Sequence, residues 1–506
     1  MNTLQRRFAI LTVVIFLFGP LSGQAQSPAD ELARKAQRAS EAMDQGRFAE
    51  AIALWEELTA ALPEVWGLKM NLGLAYYLSG QPDRAVVPLR EAVGGDPSLQ
   101  TGFLFLGASL LETGKAADAV SPLEAFRKVN PKEPQGLQLL GEAYLQSGKP
   151  AAALPLLLQT TQLAPDSPRG WHNLGRTYES LAGKAFQELE SSASESAYWL
   201  ALIADSRVAQ QQFSSAFFFY REALKKKPDM RGIHVAISRI YREKGNNEWA
   251  AKEEAQELLL GIPDCTKETL VCAFLEGRLG DVLRESLKED TPESLYWRTK
   301  AANHLALEAF SRLMSLPPSF EVHELKAEIH RNQGRHWESV SEWKKALELV
   351  PNHPQARREL ALSLYLNRDY DSAKSLVDEL LTEEPGSAQL NFLAGDILLY
   401  EQLVEASIPF LEKAVQADPS FLGAHSSLGR AYMFLADAEQ AIPHLKAALS
   451  QDEDGSLRYQ LARAYQRTGQ RDLARTMMAE YQTIRKQISE QEEKLEEEVQ
   501  ITPPEE

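Results

Sequence analysis

Apolar and polar positions along this chain follow two short helical periods separated by a turn, and the pattern returns every 34 residues. It is clearest over residues 66–99. Leu72, Gly73 and Tyr76 share one face of a first predicted helix, and Gly80 with Pro82 marks a tight turn. Ala85, Leu89 and Ala92 form the matching face of a second helix, which Pro97 stops. Two amphipathic helices this short cannot bury their apolar faces alone, so they need neighbours of the same shape.

The neighbours are present as registered columns. The small residue of the first helix recurs as Ala39, Gly73, Gly107, Gly141 and Gly175, and that of the second as Ala51, Ala85, Ala119 and Ala153. Gly46, Gly80, Gly114 and Gly148 mark the turns, and Pro63, Pro97, Pro131 and Pro165 the stops. Small residues allow close helix approach, Gly allows the turn and Pro ends the helix. The register then stutters: residues 180–197 read as an altered second helix and a loop, and Ala204, Ala216 and Tyr220 restore the pattern. Regularity returns after residue 318 as Ala327, Ala361, Gly395 and Gly429, with Ala462 close behind.

This spacing resembles the tetratricopeptide repeat, a helix–turn–helix unit of 34 residues. Trp171, Leu174, Gly175 and Tyr178 match its W-x-x-L-G-x-x-Y pattern, and Ala216, Tyr220, Ala223 and Pro228 match the second-helix half. The resemblance implies an all-α solenoid superhelix of about thirteen or fourteen repeats, with an irregular middle. The expected organisation is an N-terminal array over 26–264, degenerate helical pairs over 265–318 and a C-terminal array over 319–485. A charged capping-helix end and a disordered acidic tail are expected over 486–506.

Residues 1–25 read as a cleavable signal peptide. Arg6 and Arg7 form the basic start, Phe8 to Phe18 the apolar run, and Gly23-Gln24-Ala25 the small-x-small cleavage site. An uncleaved anchor is the alternative, but the run is shorter than the roughly 20 residues a spanning helix needs. The localisation expected is therefore periplasmic or secreted, without stable membrane insertion after cleavage.

Composition is ordinary for a globular chain, at 44% hydrophobic and 25% charged. The net charge of -17 disfavours a nucleic-acid partner, so an RNA-binding array of similar period is set aside. Catalytic motifs fail on spacing. His323-Glu324 would need a second His at 327, where Ala327 stands. Ser341 and Lys344 have S-x-x-K spacing but lack the K-T-G and S-D-N partners. Gly107 to Lys115 lacks phosphate-loop glycine spacing, and Ala116 replaces the hydroxyl. No enzyme activity, cofactor or metal is expected.

The family resemblance places first helices along the concave wall, with residues beside the small position facing a groove. Candidate groove residues are Asn71, His172, Asn173, Arg176, Arg239, Arg430 and Arg463. Arginine suits bidentate recognition of a carboxylate. Acidic residues (Glu142, Asp205, Glu328 and Asp396) hold the equivalent places in other units, so salt bridges between neighbouring helices are the competing reading. Trp55, Trp66, Trp171, Trp297 and Trp343 fit core packing, with partner anchoring as the alternative. Cys265 and Cys272 are candidates for a disulfide, in keeping with an oxidising compartment; two buried thiols are the other reading.

The expected function is a non-enzymatic scaffold of the cell envelope that binds a protein or extended peptide, acidic or carboxylate-ended. An accessory role in polysaccharide export or glycan transfer is the alternative. Both rest on family analogy.

Overall fold

The computed structural model describes residues 28–498 and 501–504. The expected signal peptide lies outside them. Among the described residues every regular element is helical and none is a strand.

The chain forms two compact units, the first comprising residues up to Ser192 and Asp264–Leu316, the second Ala193–Pro263 and residues from Pro317 onward. Unit 1 begins with four helical pairs: α1 (Pro28–Asp44) with α2 (Phe48–Ala61), α3 (Trp66–Leu78) with α4 (Pro82–Gly95), α5 (Gln100–Glu112) with α6 (Ala116–Val129), and α7 (Pro134–Gln146) with α8 (Pro150–Leu163). A long helix, α9 (Pro168–Ala193), follows. The chain then enters unit 2 for α10 (Ala197–Ala209) with α11 (Phe213–Lys226), and α12 (Ile233–Glu243) with α13 (Asn247–Leu259). It returns to unit 1 for α14 (Thr269–Leu275), α15 (Leu279–Ser286) and α16 (Pro292–Met314).

Unit 2 is completed by five pairs. They are α17 (Phe320–Asn332) with α18 (His336–Leu349), α19 (Pro354–Leu366) with α20 (Tyr370–Glu383), and α21 (Ala388–Tyr400) with α22 (Val404–Ala417). Next come α23 (Leu422–Phe434) with α24 (Ala438–Ala447), and α25 (Ser456–Arg467) with α26 (Arg471–Glu498).

Local sequence sets the helix ends. α2, α4, α6 and α8 each stop two residues before a stop proline. The intervening Leu62, Asp96, Asn130 and Ala164 have ψ of 66°, 95°, 64° and 73°, because the proline ring forbids the helical region to its predecessor. At the inter-helix turns Gly46, Gly80, Gly114 and Gly148 have φ of 70–79°. Four later pairs need the same left-handed residue without a glycine to supply it: Gln211, Arg368, Gln402 and Ala436 stand there at φ of 60–63°. An L side chain pays on the order of 1 kcal/mol for this conformation.

The core is a ladder of one contact. The first-helix small residue meets the side chain sixteen positions later on the second helix. A Cβ added to Gly141 would lie 2.6 Å from Leu157, on Gly395 2.6 Å from Leu411, and on Gly429 2.8 Å from Leu445. Trp55, Leu89, Leu123, Tyr220, Trp343 and Val377 hold the same place and are buried to within 2% exposure.

Gly175 breaks this rule. Sixteen residues on stands Ser191, which is exposed, and the side chain packed against Gly175 is Phe310 of α16. Here α16 supplies the second helix that α9 lacks. Ala302, Ala306 and Ala309 of α16 share a core with Leu174, Tyr178, Leu181 and Ala182 of α9 and with Leu157 of α8. With α14 against α15, the pairs among the described residues number thirteen, one of them closed by helices far apart in sequence.

Four expectations are corrected. Over 180–197 no second helix forms: residues up to Ala193 extend α9, because Leu181, Ala182, Ala185 and Leu189 keep one buried stripe, and the expected loop is the short turn at 194–196. Residues 265–318 are one short pair and a single 23-residue helix where two degenerate pairs were expected. The segment 501–504 is not free: Thr502 accepts a hydrogen bond from Tyr241, and Pro504 is buried. The expected array over 26–264 is also divided between the two units at Ser192.

Phe310→Ala should destabilise unit 1 by about 2–4 kcal/mol in denaturant unfolding, whereas Ser191→Ala should stay within about 0.5 kcal/mol of wild type. Ala436→Gly should stabilise unit 2 by about 0.5–1 kcal/mol, because relief of the left-handed residue exceeds the added freedom of the unfolded chain. A Tm that falls in that variant would refute the turn assignment.

Candidate functional site

Successive first helices touch: α3 lies against α5, α5 against α7, α19 against α21, α21 against α23, and α23 against α25. Second helices make no approach of that extent among the described residues. Each stack therefore bends with its first helices on the inner side, which is the side a solenoid offers to ligands.

In unit 1 this face carries a polar network. The Tyr77 hydroxyl (α3) donates to Glu112 (α5) at 2.7 Å. Glu142 (α7) takes both arms of the Arg169 guanidinium (α9) at 2.7–3.0 Å, and Asn173 Nδ2 donates to it at 3.2 Å. Ser167 donates to Gln138 at 3.1 Å and caps α9 by accepting from the Gly170 amide. Burial pushes the Glu112 carboxyl above the usual range, and burial with the Glu112 charge does the same to the Tyr77 hydroxyl. The His172 imidazole is pushed down to about 3, first by burial and then by the Arg176 and Arg169 charges, so it is neutral at pH 7.

The inner face of unit 2 is built around Asp396 (α21). It accepts from Tyr365 of α19 at 2.7 Å, and from Ser427 and Arg430 of α23 at 2.6 and 2.9 Å. A second column joins three first helices, each to its own second helix. His234 meets Glu253 at 2.5 Å, His323 meets Glu342 at 2.6 Å, and His425 meets His444 at 3.0 Å. Burial would raise the Glu342 carboxyl, but hydrogen bonds from Lys345 and His323 outweigh it and hold the group below its ordinary value. His323 thus ties α17 to α18 through this contact and is no free metal ligand. Among the described residues no group of three His, Cys, Asp or Glu side chains could hold a metal ion.

The seven sequence candidates are divided between the two units. Asn71, His172, Asn173 and Arg176 stand in unit 1, while Arg239, Arg430 and Arg463 stand in unit 2. Asn173 is buried and held by Glu142, and Arg430 gives one nitrogen to Asp396 while its side chain stays 43% exposed. Arg176 pairs with Glu179 within its own helix at 3.1 Å, and its side chain stays 45% exposed. Arg239 and Arg463 are exposed, the latter over the Tyr459 ring. The hubs Glu142 and Asp396 were visible in the sequence as acidic interruptions of the arginine column. For Asp396 the 34-residue offset from Arg430 was the available signal of that pairing, whereas Glu142 takes Arg169 and Asn173 and not Arg176.

Of the tryptophans, Trp55, Trp297 and Trp343 are core and Trp66 and Trp171 half-buried; exposed Trp337 went unmarked in the sequence. Cys265 and Cys272 are joined by a disulfide, with Cα atoms 5.6 Å apart. No helix among the described residues is long and apolar enough to cross a membrane.

Stacked helical pairs with their first helices on the inner side define an α-solenoid. Family models described as tetratricopeptide repeat match residues 37–99, 106–168, 325–373, 358–420, 422–454 and 455–480, and the chain belongs to that family. As a class, such proteins bind protein partners. The chain is 45% identical over 56 residues to the TPR repeat-containing protein YvcD of Bacillus subtilis, covering 11% of this chain and 12% of that protein. It is 28% identical over 170 residues to the human aspartyl/asparaginyl beta-hydroxylase, 32% of this chain and 22% of that protein. The chain therefore spans less than a quarter of these relatives. Solved structures with similarity include the Cut9–Hcn1 complex of APC/C (14% identity, 90% of this chain and 94% of that one, TM-score 0.33) and MamA (18%, 32% and 96%, TM-score 0.29).

His172 should make unit 1 acid-sensitive. Unfolded, it takes a proton near pH 6.5; folded, only near 3. Between those values the unfolded chain binds more protons, so this residue's contribution to stability falls as pH drops from 6.5. Urea unfolding at pH 7.5 and 5.0 should show a smaller loss for His172→Phe than for wild type.

Proposed function

We propose that this chain is a non-enzymatic scaffold of the cell envelope whose inner first-helix faces bind a protein or an extended peptide. The observation that carries this reading is the pair of first-helix faces. Each presents fixed polar groups across several adjacent helices, so an extended segment would meet a new set of donors and acceptors with every repeat. Charges already matched within the protein, such as Arg169 with Glu142 and Arg430 with Asp396, rigidify those walls. Arg176, Arg239 and Arg463 remain accessible and supply the cationic points that an acidic or carboxylate-ended partner would engage.

The envelope location draws support from the basic-apolar-small order of residues 1–25 and from the Cys265–Cys272 disulfide, which persists in oxidising compartments. N-terminal sequencing of protein recovered from its own compartment should begin at Gln26. A chain beginning at Met1 in a reducing compartment would refute the location.

Partners captured by crosslinking to the full chain should be lost, or weakened at least tenfold, when Arg176, Arg239 and Arg463 are together changed to Glu. Circular dichroism should stay unchanged, since the three side chains are exposed. Undiminished partner recovery would sink the arginine-based reading.

A further inference from the structure

In three pairs a tyrosine ties one repeat to the one before it. It stands three residues after the small position of a first helix and donates its hydroxyl to a glutamate twenty residues earlier, on the preceding second helix. Tyr76 donates to Glu56, Tyr144 to Glu124 at 2.9 Å and Tyr432 to Glu412 at 2.7 Å. Tyr241 of α12 holds this column position after Ser238, but Arg221 of α11 stands twenty residues before it. A guanidinium cannot accept a hydrogen bond. The Tyr241 hydroxyl donates instead to the Thr502 carbonyl at 2.6 Å.

The surroundings suit such an occupant. Tyr241 is fully buried, and its ring lies 5.6 Å from Phe217 of α11 and 5.6 Å from Trp249 of α13. Pro504 is buried as well. Thr502-Pro503-Pro504 is a stiff segment: each proline fixes its own φ and keeps its predecessor extended, so little freedom is lost on docking. Neither proline has an N–H, which leaves carbonyls to hydrogen-bond a donor such as the tyrosine hydroxyl. Aromatic side chains are the usual lining of sites that take proline-containing extended segments.

We propose that the seam between α11 and α12 at Tyr241 is a binding site for an extended Thr-Pro-Pro segment, and that residues 501–504 of this same chain are its resident, exchangeable occupant. The segment does for this seam what a glutamate does in the other pairs. A partner segment of the same chemistry gains access by displacing it. This site is independent of whatever the first-helix faces bind.

The test uses the full-length protein with Glu505→Cys carrying a nitroxide spin label; the two native cysteines are bonded to each other and do not react. The room-temperature spectrum should be dominated by an immobilised component. Tyr241→Phe, which keeps the ring and removes the donor, should lower the ratio of docked to free label roughly fivefold with unchanged circular dichroism. A synthetic peptide of residues 499–506 at millimolar concentration should also mobilise the label. Narrow lines in the unmodified background would overturn docking. Immobilised lines indifferent to Tyr241→Phe would overturn the seam as the site, and lines indifferent to the peptide would overturn exchange. An immobilised fraction that falls on dilution would assign the segment to a second copy and overturn binding within one chain.

Discussion

The structure depends on how closely two helices of a pair approach. A glycine or alanine on the first helix lets the backbone come near enough for a large side chain, sixteen residues later, to lie directly against it. Leu89, Leu123, Leu157, Leu411 and Leu445 all fill that contact and are completely buried. Each such contact is short-range in sequence and is satisfied within one pair, so pairs of this kind can be stacked in any number. The bend of each stack, and the inner face it creates, follows from the first helices lying closer together than the second ones.

The same constraint explains the one departure from a simple chain order. Sixteen residues after Gly175, α9 itself offers Ser191 where a large apolar side chain is needed, and the helix runs on without a partner next to it in sequence. Its small-residue face stays unpaired until α16 arrives with Phe310 and a row of alanines. Residues 193–263 therefore belong to a different compact unit from the segments on either side of them. The Cys265–Cys272 disulfide closes a short loop where the chain comes back to unit 1.

Polar contacts add a second, weaker ladder. Tyrosine–carboxylate and histidine–carboxylate contacts recur at fixed offsets, tying helices within and between pairs. On the inner faces the acidic residues that interrupt the arginine column are the hubs, each drawing donors from neighbouring helices. A buried carboxylate without such donors would be costly, which is why Asn173 and Arg430 turn toward Glu142 and Asp396.

Most of the architecture was legible in the sequence because it is local. A turn requires a left-handed residue, a stop requires a proline, and a close approach requires a small residue. Each of these is settled within one 34-residue period. The helical pairs, the family and the column of second-helix core residues all follow from that. Three features could not be read this way. They are the closure of α9 by α16, the division into two units at Ser192, and the docking of Thr502 on Tyr241. Each joins residues far apart in the chain, and no periodic signal links Phe310 to Gly175 or position 502 to position 241. The pairing of Arg430 was likewise decided by a tertiary neighbour, because the carboxylate that holds it, Asp396, stands on another helix.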